Sequence, residues 1–385
     1  MNFSSFNVAI DASRNRSGGA KAHLIGLIEA GNPLEFNIKE VHVWSYNSLL
    51  TSLPDRSWLI KHSHNFIEKS IFHQLFWQFF IFPIEFQKSK CDIVLNTDAG
   101  TISYVKPSVT MSRDMLSYEP GEMKRYGFSF ARVRLLLLRY VQNRSLRNSN
   151  GAIFLTKYAS SVIQKSSGPI ERVAHIPHGV GSLFRLVSNS PKLLFPYNQG
   201  IKLLYISNTD LYKHQWHVVH AAELLRLRGH NVSLTLVGGG TGLAKRKLLK
   251  QIAISDPDGK YIFPFDFVPH SRLTEYLSEA DIFIFASSCE NMPNTLIEAM
   301  AAGLPIACSS KGPMPEVLED AGVYFDPENS ISIANSVQYL IENEEIQNEL
   351  SRKSQLLSLN YSWEKCSTET WKFIQEIFNS VKKLN

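Results

Sequence analysis

The chain is short of cysteine, of long apolar runs and of charge, and each shortage excludes something. Its four cysteines, Cys91, Cys289, Cys308 and Cys366, have neither metal-ligand spacing nor the pattern of a disulfide framework. A small stapled secreted domain is excluded, and a reducing cytoplasm is the simplest compartment. The most apolar segment, LFWQFFIFPIEF at 75–86, is broken by Gln78 and Pro83. It falls short of the roughly 20 residues that a spanning helix needs. The opening MNFSSFNVAIDASRN lacks a basic stretch followed by an apolar run, so no signal peptide is expected. No low-complexity tract or solenoid-length repeat interrupts the sequence.

What is present suits two domains of ordinary size. A chain of 385 residues is too long for one ordinary core, and 44% hydrophobic with 19% charged residues is a globular balance. The net charge of +5 hides an asymmetry. Through Lys192, 23 Lys and Arg stand against 13 Asp and Glu; the remainder carries 17 against 22. A basic first half points to an anionic partner.

Short β-rich runs alternate with helical patterns throughout. FNVAID, KEVHVWS, CDIVLNT, PSVTMS and GAIFLT read as buried strands in the first half; IKLLYIS, NVSLTLVG, KYIFPFDFV, DIFIFAS and LPIACSS do so in the second. Periodic stretches such as HVVHAAELLRLRGH and LTEYLSEA lie between them. Strand and helix in alternation, twice over, predict two doubly wound α/β domains. The break falls in LVSNSPKLLFPYNQG at 186–200, giving domains 1–190 and 191–365. The tail at 366–385 continues one amphipathic helix, expected to cross back to the first domain.

The stretch ASSCENMPNTLIEAMAAGLP at 286–305 carries the densest chemistry. A strand ends, a loop follows, and Pro293 suits the first turn of a helix that stops at Gly303. Free N–H groups of Asn294 and Thr295, with the helix dipole, would make an anion site. Glu290 precedes the helix, and Glu298 lies about 6 Å along it from Asn294. A diphosphate at the helix start would have a carboxylate on either side, and carboxylates accept the hydroxyls of sugars and ribose. Nucleotide-sugars have that order of parts. Taken singly, each Glu also fits an ordinary loop or helix-surface position.

With seven residues between the two Glu, the segment resembles the donor-site motif of retaining glycosyltransferases of the GT-B fold, family 4-like. The likeness continues through GLPIACSSKGPMPEVLEDAGVYFDP, AHIPHGV, LYISNTDLYKHQ, LTLVGGG and YSWEK, in the family's order. It implies two Rossmann-like domains facing a central cleft, and a donor that is GDP-mannose or a UDP-hexose, the former ahead. By this resemblance Glu290 is the sugar-side carboxylate, Glu298 binds ribose, and Lys213 contacts the diphosphate, neutralising the leaving charge where other enzymes use a metal. Glu290 and Lys213 are the catalytic pair. Gly238 and Gly239 resemble the turn beside the base, and Gly19 the first glycine loop, Ser17-Gly18-Gly19, before a helix starting near Ala20 with Lys21 as a further contact. Asn291, Met292, Asn294 and Thr295 complete the donor set with Asn208, which stands where the family often has Arg. No cofactor or metal is expected, since Asp256 and Asp258 in DPDG read as a surface turn.

Relatives often carry a His before an Asp in the loop after the strand PSVTMS. Here Ser112 and Arg113 precede Asp114, so that His is absent. Arg113 and Asp114 are acceptor candidates, the alternative being a salt bridge within the loop. His175 and His178 flank a turn and read as structural. Residues 124–147 hold seven basic side chains and no acidic one, interleaved with Phe128, Phe130, Leu135 and Tyr140. That pattern suits a helix on an anionic membrane, a core helix with solvated Arg being the alternative. No nucleic-acid motif accompanies it. For the aromatic run 72–86, core packing is favoured over lipid contact.

The reading is a hexosyltransferase of bacterial surface-polysaccharide type, SGGAKAHL and the stretch from RDML to FLTKYA being the most similar parts. The resemblance implies action on a lipid-linked saccharide in O-antigen biosynthesis, in the cytoplasm or peripherally on the inner face of the plasma membrane. The alternatives are a non-catalytic nucleotide-sugar-binding or scaffold subunit, and an epimerase or phosphorylase of the same fold.

Overall fold

Runs such as VAID, IVLN and IFIF, apolar on both sides of the pleat, suit parallel strands covered on both faces. The computed structural model describes residues 5–16, 18–187 and 200–383. It divides into two units, Met1–Gly179 with Ser362–Asn385, and Val180–Tyr361. Ser17 and most of the expected break at 186–200 lie outside the described residues.

The first unit holds a parallel sheet of β1 (Phe6–Asp11), β2 (Ile38–Trp44), β3 (Leu59–His62), β4 (Ile93–Asn96), β5 (Ser108–Ser112), β6 (Gly151–Phe154) and β7 (Val173–His175), in the order β3-β2-β1-β4-β5-β6-β7. The second holds β8 (Ile201–Ile206), β9 (Val232–Val237), β10 (Ile262–Phe265), β11 (Ile282–Phe285), β12 (Ile306–Ser309) and β13 (Val323–Phe325), ordered β10-β9-β8-β11-β12-β13. Both are doubly wound, with the order reversing beside β1 and β8. The sequence patterns identify every central strand. They miss β3, β7 and β13, edge strands of three or four residues that are only partly buried and too short to stand out.

In the first unit the helix Trp363–Lys382 lies on the helix Gly18–Ala30. Ser367 Oγ donates to Leu27 O at 2.8 Å, and Phe378 stacks on Phe6 at 4.1 Å. A Cβ at Gly26 would sit 2.3 Å from the Trp363 ring, so glycine permits the approach. The helix over Gly18–Ala30 begins two residues before the expected Ala20. His178 is buried and stacks on His23 at 4.8 Å.

The aromatic run departs from expectation. Trp77 and Phe82 are fully buried, but Phe72, Phe76, Phe79, Phe80 and Ile84 are exposed, Phe72 by 78%. Core packing accounts for one face only. The helix Phe130–Asn148 likewise exposes Phe130, Val133, Leu137 and Tyr140, spaced along one stripe. The β3–β4 and β5–β6 crossovers run in the same direction along the sheet. Their helices therefore lie on the same face of it by the handedness of parallel crossovers.

Candidate donor site in the second unit

The site begins where β8 and β11 end, beside the point at which the strand order reverses. After β8 the chain turns through Leu211–Lys213, and His214 takes a left-handed conformation, φ 51°. Two bonds to groups at the end of β8 fix this turn. The Tyr205 hydroxyl, fully buried, donates to Lys213 O at 2.8 Å, and Gln215 Nε2 donates to Ser207 O at 3.0 Å. Two more tie it to the loop after β11. Ser288 N donates to Tyr212 O at 2.8 Å, and His214 Nε2 lies 2.8 Å from Ser288 Oγ.

This stitching brings Lys213 and Glu290 together across 77 positions of sequence. The Lys213 ammonium donates to Glu290 Oε1, with side-chain exposures of 12% and 14%. The same ammonium lies 5.0 Å from the Tyr212 ring centroid and 5.8 Å from that of Phe285. Aromatic faces shield it from water on these sides, so its field at a neighbouring anion is less screened than at an open surface.

Glu290 leads into the helix Asn294–Ala301. Pro293 is not in its first turn. With ψ 77° it stands at the N-cap, and its carbonyl accepts from Leu296 N at 3.0 Å and Ile297 N at 3.2 Å. Of the two amides expected to be free, Asn294 N donates to Met292 O at 3.1 Å. Only Thr295 N has no acceptor among the described residues, while Thr295 Oγ1 donates to Ile206 O at 3.2 Å. The anion site is therefore narrower than the spacing implied, because the loop folds back on itself before the helix starts. The helix ends as anticipated, with Gly303 at φ 69° and Leu304 N bonded to Ala299 O.

Glu298 is 7% exposed and faces inward. His270, from the short turn after β10, reaches it with Nε2 2.7 Å from Oε1. Oε2 is buried and has no hydrogen-bond partner among the described residues. Burial raises the Glu298 pKa, the hydrogen bond from His270 opposing it; the bond to Glu298 in turn raises that of His270. His270 itself was invisible to sequence reasoning. It lies 28 positions from its partner in a segment with no motif.

The remaining donor candidates divide. Asn208 is exposed at the end of β8, and Asn291 and Met292 are buried. Gly238 has φ 129°, and a Cβ there would meet Ser207 O at 2.2 Å. Its glycine is demanded by the chain's own backbone after β8. Gly239 is a looser position, a Cβ there meeting Phe267 N at 3.4 Å. In DPDG, Asp256 accepts from the backbone N–H groups of Lys260, Tyr261 and Ile262, each at 2.8 Å, which makes it the organiser of a turn.

In the first unit Gly19 lies in the first turn of the helix Gly18–Ala30, and Lys21 sits 5.6 Å from the Tyr46 ring. Arg113 donates to Asn15 Oδ1 at 2.7 Å and lies 3.9 Å from Asp98. Asp114 accepts from Leu116 N at 3.1 Å and Gln142 Nε2 at 3.4 Å, and burial raises its pKa. Arg113 and Asp114 are thus neighbours in sequence whose side chains have separate partners.

Comparisons with known proteins bear on the second unit and on the fold. Residues 190–356 match the family described as "Glycosyl transferases group 1". O-antigen chain mannosyltransferase B of Escherichia coli is 24% identical over 217 residues, which is 55% of this chain and 56% of that protein. The chain spans about half the length of the curated relatives it matches. Among solved structures, sucrose-phosphate synthase from Thermosynechococcus elongatus superposes with TM-score 0.73 at 16% identity, covering 98% of this chain and all of that one. HepE from Anabaena, solved with UDP-glucose, gives TM-score 0.69 at 16% identity over 98% of this chain and 100% of its own. At such identities the structural likeness is one of fold. With two parallel-sheet Rossmann-like units, the chain has the fold of GT-B glycosyltransferases, and the segment that carries the Lys213–Glu290 pair is similar to the glycosyl transferases group 1 family.

Proposed function

We propose that this protein transfers a hexose from a nucleotide-sugar to a lipid-linked saccharide in the assembly of O-antigen or a similar surface polysaccharide, with the anomeric configuration retained. One observation carries the reading: Lys213 and Glu290 meet beside the start of the helix that bears the buried Glu298. A cation next to a diphosphate stabilises the negative charge that grows as the glycosidic bond breaks. Glu290 accepts sugar hydroxyls, Glu298 those of ribose, and the Thr295 amide at the helix start meets a phosphate oxygen. The acceptor hydroxyl attacks from the face the diphosphate leaves, and the leaving oxygen takes its proton. Lys213 takes the charge-neutralising role, so transfer is proposed to need no metal. Mannose is favoured as the sugar, in keeping with the Escherichia coli relative's name.

A lipid-linked acceptor is reached at a bilayer. No helix among the described residues is long and apolar enough to cross one. The proposed contact is the basic segment 124–147, joined by the exposed Phe72, Phe76 and Phe80 on the same face of the sheet. Arg supplies attraction to anionic headgroups and the aromatic rings enter the interface.

The deciding experiment screens the purified protein for binding of UDP, GDP and their sugars, then measures transfer from the bound donor to lipid-linked saccharides in vesicles, with and without EDTA. Binding without turnover on any acceptor would favour the non-catalytic reading. Flotation with vesicles containing anionic phospholipid tests the contact surface. Phe72→Ser with Phe80→Ser should reduce recovery in the lipid fraction, and unchanged recovery removes that surface from the proposal.

A further inference from the structure

Glu298, like Glu119 in the first unit, is a buried acid with one oxygen bonded and the other without a partner among the described residues, and of the two it is the one beside the Lys213–Glu290 pair. Its environment supplies one hydrogen bond, from a histidine whose own side chain is 60% exposed, and leaves the other oxygen with none among the described residues. A carboxylate kept for folding has both oxygens satisfied, since a buried acceptor without a donor costs free energy. In this chain Asp256 meets that standard with three backbone donors. The missing donor at Glu298 points to a ligand hydroxyl.

His270 is the one group on the other oxygen. It arrives from a short turn, His270–Arg272, and its ring is tilted against the buried Phe184 ring, centroids 5.2 Å apart. The charged groups on its own turn and on the helices packed against Asn294–Ala301 have other partners. Arg272 on the same turn is bonded to Glu275, Arg185 from the helix Ser182–Leu186 donates to Ser358 and Tyr361, and Lys353 from the helix packed on Asn294–Ala301 pairs with Asp320 and Glu349. The imidazole can leave without stranding a buried group of its own, because most of it already faces water.

We propose that His270 is the positioning residue of the diol subsite: it occupies Glu298 Oε1 in the unliganded protein and yields that oxygen to one hydroxyl of a nucleotide's ribose while the second hydroxyl takes Oε2. The proposal rests on the donor-site reading above and adds to it a residue, a displacement and a pH dependence. A protonated His270 holds the carboxylate by an ion pair and competes with ribose; a neutral one competes less. Nucleotide affinity therefore rises as pH rises through the His270 pKa, which lies above the ordinary 6.5.

Isothermal titration with UDP and with GDP between pH 5.5 and 8.5 tests this, using whichever binds. Wild-type affinity should increase about twofold to fivefold from pH 6 to pH 8, the range for releasing one partly exposed ion pair. His270→Ala and His270→Gln should flatten that profile and bind more tightly than wild type at pH 6. The 2′,3′-dideoxy nucleotide should bind weakly and show no His270-dependent profile. If His270→Ala weakens binding equally at every pH, the histidine is a ligand in its own right and the displacement is wrong. An unchanged profile in both variants is equally fatal. Glu298→Ala separates the two readings. If it leaves nucleotide affinity unchanged at pH 8, the ribose assignment itself falls. If it weakens binding while the His270 variants behave like wild type, only the role of His270 falls.

Discussion

Two buried carboxylates, Asp256 and Glu298, lie in the same unit and are treated in opposite ways. Asp256 accepts three backbone N–H groups at 2.8 Å and so fixes the turn before β10. Glu298 sits in the middle of a helix, has one bond to a surface histidine, and keeps its second oxygen without a donor. Folding alone would favour the first arrangement at both places. The contrast sets an acid that holds the chain together against one for which a ligand is proposed.

That comparison can be broken in several ways. The largest effect is expected at the charged pair beside Glu298. Lys213→Ala or Glu290→Ala should lower transfer about 10²- to 10³-fold, the scale for removing one preorganised electrostatic partner. Circular dichroism and the melting temperature should show the fold retained. Turnover near wild type in either variant would remove the catalytic assignment.

Asp256→Ala comes next and acts on stability alone. Stranding three N–H groups should cost about 2–4 kcal/mol, read as a shift of the urea midpoint, with no change in nucleotide affinity. Gly238→Ala should behave similarly, because a Cβ would lie 2.2 Å from Ser207 O at a φ of 129°. A cost of about 2 kcal/mol or more is expected there.

Glu298→Gln should show the reverse signature. Removing a half-satisfied buried charge should leave the urea midpoint unchanged or raised, while nucleotide affinity falls about tenfold. A large loss of stability would place Glu298 with Asp256 as a structural acid and dissolve the contrast.

The smallest effect is the pH dependence of stability at His270. Its folded pKa is raised by Glu298, so its contribution is complete below about pH 6.5 and disappears as pH rises through the folded value. The wild type should therefore melt above His270→Ala at pH 6 and level with it by pH 8. The difference should stay below about 1 kcal/mol, since the ring is more than half exposed.

Much of this was legible in the residues. The nine central strands and the edge strand β10 follow from apolar runs bounded by turn residues, and the helix end at Gly303 from glycine before proline. The approximate location of Glu290 and Glu298 follows from helical rise. Other features had no sequence signal. Pro293 reads as a first-turn residue, and only its ψ shows it to be the cap. Asn294 reads as a free amide, and only the fold of the loop shows it bonded to Met292. The run at 72–86 reads as core because hydrophobicity says nothing of which side chains find a neighbour. In the structure, Trp77 and Phe82 do and Phe72 and Phe80 do not.

The sequence by itself determined the class of fold, the alternation that makes it, and a pair of acids at a helix start, because these depend on local spacing and on the burial of whole strands. Only the tertiary structure decided which groups meet. Lys213 and Glu290 are joined by the stitching of Tyr212, His214 and Ser288, and His270 reaches Glu298 from another crossover. Such contacts cross tens of residues, and nothing in local composition encodes them. They arise because parallel strands deliver their ends to one edge of a sheet, where loops from distant parts of the chain must share the same few ångströms.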